Sequence, residues 1–191
     1  FDIYAQVSHW LIMLIAMMYP LLTVQVRHLV FSMPAFRLYR SLVLFLCSYS
    51  LLWLLFAAVF WGLQAVAQAL TIDASIYPLL GVGCFILASL SIWSKNHAVL
   101  MASCSTTMPL GFLGWQADTD CMRYGLKTAF NCIRSCWLPM LALILINHDF
   151  ALMLLVTLAL WYERFCLPHI SKQMSVIWML LAAIIVSMIV F

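Results

Sequence analysis

Charge is what this sequence has least of. Of its 191 residues only 8% are charged while 67% are hydrophobic, and a water-soluble domain carries about a quarter of charged residues. That scarcity excludes a soluble globule and predicts a membrane protein. The long apolar runs also lack the polar and apolar alternation of a transmembrane β-barrel, so the spans are expected to be helices. Catalytic signatures are missing as well: the sequence has no Gly-rich phosphate loop, no nucleophile elbow, no paired carboxylates in an apolar run and no His-rich cluster. A protein that is not an enzyme is the expectation. The basic residues hug the apolar runs and form no extended patch, which argues against a nucleic-acid partner and for contact with membrane lipids.

What the chain does have is apolar length. A span takes roughly 20 residues, and the apolar runs predict six, near 7–26, 41–66, 76–93, 125–146, 150–166 and 174–191. The expected fold is an all-α, polytopic transmembrane helical bundle forming a single membrane domain over residues 1–191. Arg27, Arg37, Arg40, Lys95, Arg123, Lys127, Arg164 and Lys172 all fall in alternate connections. The positive-inside rule makes that side cytoplasmic and puts both termini on the other side, as in a bacterial inner membrane. Two segments of those connections, 31–40 and 108–116, are aromatic and apolar enough to lie in the headgroup interface.

Sulfur carries the functional signal. Cys132 and Cys136 are four residues apart, on one face of a helix about 6 Å apart along the axis, and Met140 continues the column. His9, Met13 and Met17 form a matching column on the first span, with Met18 beside the last and Pro20 just beyond. The topology makes the two helices antiparallel. At about 1.5 Å per residue, Met17 and Cys136 lie at one depth and Met13 and Met140 at another, so soft ligands are expected to meet near the bilayer midplane. Thiolate and thioether select Cu(I), with Zn(II) second if His9 or another thiolate joins. The competing account is that methionines at helical spacing only pack.

The fourth span is unusually polar for a lipid-facing helix, with Lys127, Asn131, Arg134 and Ser135 near the two cysteines. Groups of this kind at membrane depth face protein or water. The best-placed carboxylate for Arg134 is Glu163, in a structural ion pair between neighbouring spans. His148 and Asp149 are expected to cap the fifth helix.

The segments WLIMLIAMMYP (10–20), PLGFL (109–113), GLKTAFNCIRSCWLPM (125–140) and YERFCLP (162–168) together resemble the family of predicted metal-binding integral membrane proteins known as domain of unknown function 2182. By that resemblance Met13, Met17, Met18, Pro20, Gly125, Cys132, Cys136, Trp137, Met140 and Glu163 occupy matching positions. The family's Cys-x-Gly-Cys-Cys pattern is altered here, with Arg134 at its glycine and Ser135 at its middle cysteine. The resemblance implies a protein that binds or passes Cu(I). The alternative is an accessory subunit of a larger membrane complex, such as a copper membrane monooxygenase, a pigment complex or a respiratory complex.

Overall fold

A computed structural model describes residues 3–69, 76–111, 114–146, 150–165 and 171–190. All regular structure among them is helical. The chain runs through α1 (Ile3–Met13), a π-helical turn (Leu14–Met18), a short 3-10 turn (Tyr19–Leu22), α2 (Thr23–Ser32), α3 (Ala35–Ala69), α4 (Ile76–Ser91), α5 (Lys95–Cys104), α6 (Gly114–Leu145), α7 (Phe150–Phe165) and α8 (Ser171–Val190).

Among the described residues three stretches are long and apolar enough to cross a membrane: Trp10–Ser32, Ala35–Val66 and Gly114–Leu145. Six were expected. Among the described residues Ile76–Ser91 and Ser175–Val186 are apolar but shorter, and α7 has 16 residues. At about 1.5 Å per residue, 16 residues give roughly 24 Å against a hydrocarbon core of about 30 Å. Residues 147–149, which hold the expected cap His148 and Asp149, and residues 166–170, with Cys166, lie outside the described residues.

The connections are also more helical than expected. Residues 94–127 were read as a cytoplasmic loop, yet α5 and the first turns of α6 occupy most of it. The cause is a buried stripe in a polar stretch. Ala117, Cys121, Tyr124 and Thr128 are buried at helical spacing while Arg123 and Lys127 are exposed, so the helix is amphipathic here rather than uniformly apolar. Likewise the 26–40 connection is almost wholly α2 and the start of α3, broken only around Met33 and Pro34.

The chain divides into two compact units, one made of Phe1–Ala65 with Ser103–Ile133 and the other of Val66–Ala102 with Arg134–Phe191. In the first, Arg37 and Arg40 both pair with Asp118, at 2.7 and 2.6 Å. This places the α2–α3 turn and the beginning of α6 at the same end of the unit, as the basic residues of the two connections suggested. Higher up, α3 and α6 nearly touch: a Cβ on Gly125 would lie 2.5 Å from the Phe45 carbonyl oxygen and 3.0 Å from Ser48 Cβ. Only a residue without a side chain permits this approach.

A strap without regular structure, 105–111, is held to the same unit by side chains rather than by a backbone ladder. Gln25 Nε2 donates to the Cys104 carbonyl. His28, one turn further along α2, bonds the Met108 carbonyl at 3.0 Å. Asn131 Nδ2 donates to the Ser103 carbonyl at 3.0 Å, and the Gly111 N–H donates to Asp120 at 3.2 Å. These bonds satisfy carbonyls that an irregular segment would otherwise leave without partners.

The second unit is organised by α4 against α8. Ser89 Oγ donates to the Ser175 carbonyl at 3.0 Å, the two serine hydroxyls are 2.7 Å apart, and Trp93 Nε1 donates to Ser175 Oγ at 2.9 Å. Phe85 and Trp178 stack with ring centroids 5.8 Å apart. Small polar side chains thus bond helix to helix where apolar surfaces alone would give no register.

Candidate metal centre

The first membrane-long stretch is not one regular helix. Between Leu14 and Met18 the backbone widens to a π-turn, closed by the Tyr19 N–H bonding back to the Leu14 carbonyl. Pro20 sits at the start of the 3-10 turn that follows, where its missing N–H rules out regular α-helical bonding. A π-turn holds about one residue more than an α-turn. The face that Met13 presents can therefore be continued by a residue five positions on, Met18, as well as by Met17 four positions on, and both are buried.

At the end of this turn a methionine sulfur meets α6. Cys132 directs its Sγ–H at Met18 Sδ, 3.8 Å away. Two sulfur ligands on one soft ion with bonds of about 2.3 Å can be no more than roughly 4.6 Å apart, so this separation suits a shared ion. Tyr49, on α3, donates its hydroxyl to Cys132 Sγ at 3.4 Å. Its position follows from the close crossing below. Phe45 is one turn before Tyr49 on α3 and Gly125 two turns before Cys132 on α6, so the contact at Gly125 sets the phenol opposite the thiol. Met13, Met17, Met18 and Tyr49 are essentially sealed from solvent and Cys132 is nearly so.

Aromatic rings surround this part of the unit. Tyr19 lies edge-on to Tyr49 at 6.3 Å and bonds Ser50 at 2.8 Å. Trp10 lies 6.4 Å from Trp53 and 6.2 Å from Trp61. The environment is dry and of low polarity, which raises the cost of adding net charge.

That cost bears on which ion such a donor pair would favour. A Cu(I) ion that takes the place of the Cys132 proton leaves the net charge of the buried site unchanged, whereas Zn(II) at a single thiolate leaves an uncompensated positive charge. Among the described residues no three His, Cys, Asp or Glu side chains gather into a metal-binding group, and a zinc site takes four ligands of these types. The donors that do converge, a thiol and a thioether, are the soft pair that favours Cu(I). The six described cysteines are all thiols.

The expected site residues fall out as follows. Cys132 is in the centre. Met13 and Met17 are buried on the same stretch of the first unit, but it is Met18, named from sequence only as a neighbour of Met17, whose sulfur reaches the thiol. Cys136 and Met140 are buried one and two turns further along α6, in the second unit, where Ser135 Oγ lies 3.4 Å from Cys136 Sγ. The side chain of His9 lies outside the described residues. Arg134 is exposed and Glu163 half-buried, both in the second unit. Tyr49 was not anticipated. A lone tyrosine in an apolar helix gives no sign of a partner 83 residues away.

Losing the phenol donor should weaken soft-metal binding without unfolding the chain. Replacing Tyr49→Phe keeps the ring and removes only the hydroxyl, and partners of this kind contribute about 10- to 100-fold in metal affinity. A Cu(I) titration against a chelating dye in detergent should show a drop at the low end of that range, with unchanged helicity.

The fold is all-helical among the described residues, with three stretches long and apolar enough to cross a membrane and a buried pair of soft sulfur donors. The sequence profile of the PpoB2 family, described as copper chaperone, matches residues 7–187, and the chain belongs to that family. Neither the curated proteins nor the solved structures compared with it gave a match.

Proposed function

We propose that this protein carries Cu(I) as cargo within a bacterial cytoplasmic membrane, holding it between Cys132 and Met18. The single observation that carries this reading is the 3.8 Å approach of the two sulfur atoms in a sealed apolar setting. Loading releases the Cys132 proton as the Cu–S bond forms, and Tyr49 steadies the sulfur's charge. A thioether is a weak neutral ligand, so an incoming thiolate of an acceptor protein displaces it readily. That is the behaviour a chaperone requires, in contrast to a storage site closed by several thiolates.

Cys136 and Met140, one turn apart on α6, are proposed as a second pair of soft donors, and Arg134 with Glu163 as a structural ion pair of the second unit. The clustering of Arg27, Arg37, Arg40, Arg123 and Lys127 supports placing the α2–α3 turn and the start of α6 on the cytoplasmic side. An accessory-subunit role would leave the sulfur pair without a use.

The π-turn supplies the test. Met18→Leu removes the thioether at nearly constant volume and should lower Cu(I) affinity at least tenfold, a loss of the size that supporting partners of metal sites produce. Met17→Leu, the equivalent change one residue earlier, should leave it within twofold. Equal losses in the two variants, or a loss in Met17→Leu alone, would overturn the assignment of the sulfur pair.

A further inference from the structure

At the end of the first unit opposite in character to the sulfur site lies an open cavity of about 500 Å³, lined by Phe36, Arg37, Arg40, Gly114, Trp115 and Asp118. Its chemistry is cationic and aromatic. Asp118 accepts from Arg37 through one carboxylate oxygen and from Arg40 through the other. Arg37 also donates to the Gly114 carbonyl at 3.1 Å. Two guanidiniums against one carboxylate leave one positive charge, and each guanidinium carries five N–H donors. The Arg37 side chain is 14% exposed and held by these bonds, whereas that of Arg40 is 65% exposed. Arg40 holds Asp118 through Nη2, which leaves the remainder of its largely exposed donor fork open to the outside.

The carboxylate therefore acts as a bracket: it orients both cations and lowers, without cancelling, the charge they present. Gly114, at φ +76, takes a left-handed conformation that other residues adopt only with strain. It turns the chain into α6 at the cavity wall, so the positive end of that helix adds to the field. Beside this charge stand two large rings with little to cover them, Phe36 and Trp115, each more than three-quarters exposed, and Tyr39, next to Arg40 in the sequence, is equally exposed. A cation ringed by exposed aromatics, at the end of helices long enough to cross a bilayer, matches the level of the lipid headgroups.

We propose that this cavity is a binding site for the phosphate diester of an anionic glycerophospholipid, with Arg40 and Arg37 on the phosphate and Phe36 and Trp115 against the glycerol and upper acyl carbons. A soluble phosphate would use the same arginines but gain nothing from the rings. The proposal rests on the membrane assignment and is independent of copper.

The test uses the full chain in detergent micelles doped equally with phosphatidylglycerol and phosphatidylcholine, with bound lipid counted by native mass spectrometry. Phosphatidylglycerol should be retained preferentially. Arg40→Gln should weaken its retention about fivefold, the effect of one basic residue near an anionic surface, and Trp115→Ala should weaken both lipids. Asp118→Asn should raise phosphatidylglycerol retention if it folds; Arg40→Gln and Trp115→Ala, both at exposed positions, carry the test if it does not. Equal retention of the two lipids, or unchanged retention in folded Arg40→Gln, overturns the proposal. Displacement of phosphatidylglycerol by millimolar inorganic phosphate overturns it too, by assigning the cavity to a free anion. Cu(I) titration of Arg40→Gln should match the unmodified protein, so failure here is separable from failure of the copper reading.

Discussion

Replacing Cys132→Ser should abolish tight Cu(I) binding. Changing partners that merely support a ligand costs about 10- to 100-fold in affinity, so losing the one thiol that exchanges its proton for the metal should cost more than about 100-fold. The expected record is a purified chain that retains its helicity but no longer competes with a Cu(I)-chelating dye. Cys47→Ser is the control, because Cys47 is an exposed thiol in the same unit and its loss should change nothing. Proton exchange adds a second signature. While the thiol is protonated, each Cu(I) bound releases one proton, so apparent affinity should rise about tenfold per pH unit in the unmodified protein. The serine variant should lose that slope. A serine variant that keeps both the affinity and the slope would show that the metal sits elsewhere.

The second large effect is expected from a residue that touches no metal. Gly125→Ala adds a Cβ 2.5 Å from the Phe45 carbonyl oxygen, and a backbone carbonyl in mid-helix cannot swing aside. Alanine normally gains about 0.5 to 1 kcal/mol over glycine inside a helix, but overpacking of this kind costs about 1 to 3 kcal/mol, so the clash wins. Pushing α3 from α6 also moves Tyr49 away from Cys132. The variant should melt earlier in detergent and bind Cu(I) more weakly. Gly62, also on α3, has nothing within 4 Å of its would-be Cβ, and Gly62→Ala should be neutral or stabilising. If the two variants behaved alike, close contact at Gly125 would not be what holds the centre in shape.

Much of this architecture was legible in composition. Scarce charge and long apolar runs give helices, three of them long and apolar enough to cross a membrane, and the paired cysteines on an otherwise polar span single out α6, which supplies the thiol of the buried sulfur pair. Two features escaped for definite physical reasons. A search for apolar runs begins α6 at residue 125, because Arg123 and Asp118 interrupt hydrophobicity; yet the 3.6-residue spacing of Ala117, Cys121, Tyr124 and Thr128 was there to be read. Pairing Met17 with Cys136 by depth assumes a uniform rise of about 1.5 Å per residue in the first span, a regularity that the π-turn at Leu14–Met18 interrupts. Pro20 hinted at irregularity just beyond, but nothing in LIAMM marks a π-turn rather than a kink. Long-range meetings such as Tyr49 with Cys132 depend on how α3 crosses α6, and the only local sign of that crossing is a single glycine.

The wide turn at Leu14–Met18 does more than choose between two methionines. Beyond it, Leu21, Leu22, Gln25 and Leu29 are buried, and Gln25 and His28 grip the end of α5 and the 105–111 strap that follows it. Before it, Trp10 and Met13 are buried as well. One extra residue in the winding brings the inward faces of both halves into phase. The sulfur pair and the clasp on the strap are therefore geared to a single joint: unwinding it to ordinary helix would swing either the sulfur or the clasp toward the outside, and one could not be re-tuned without disturbing the other.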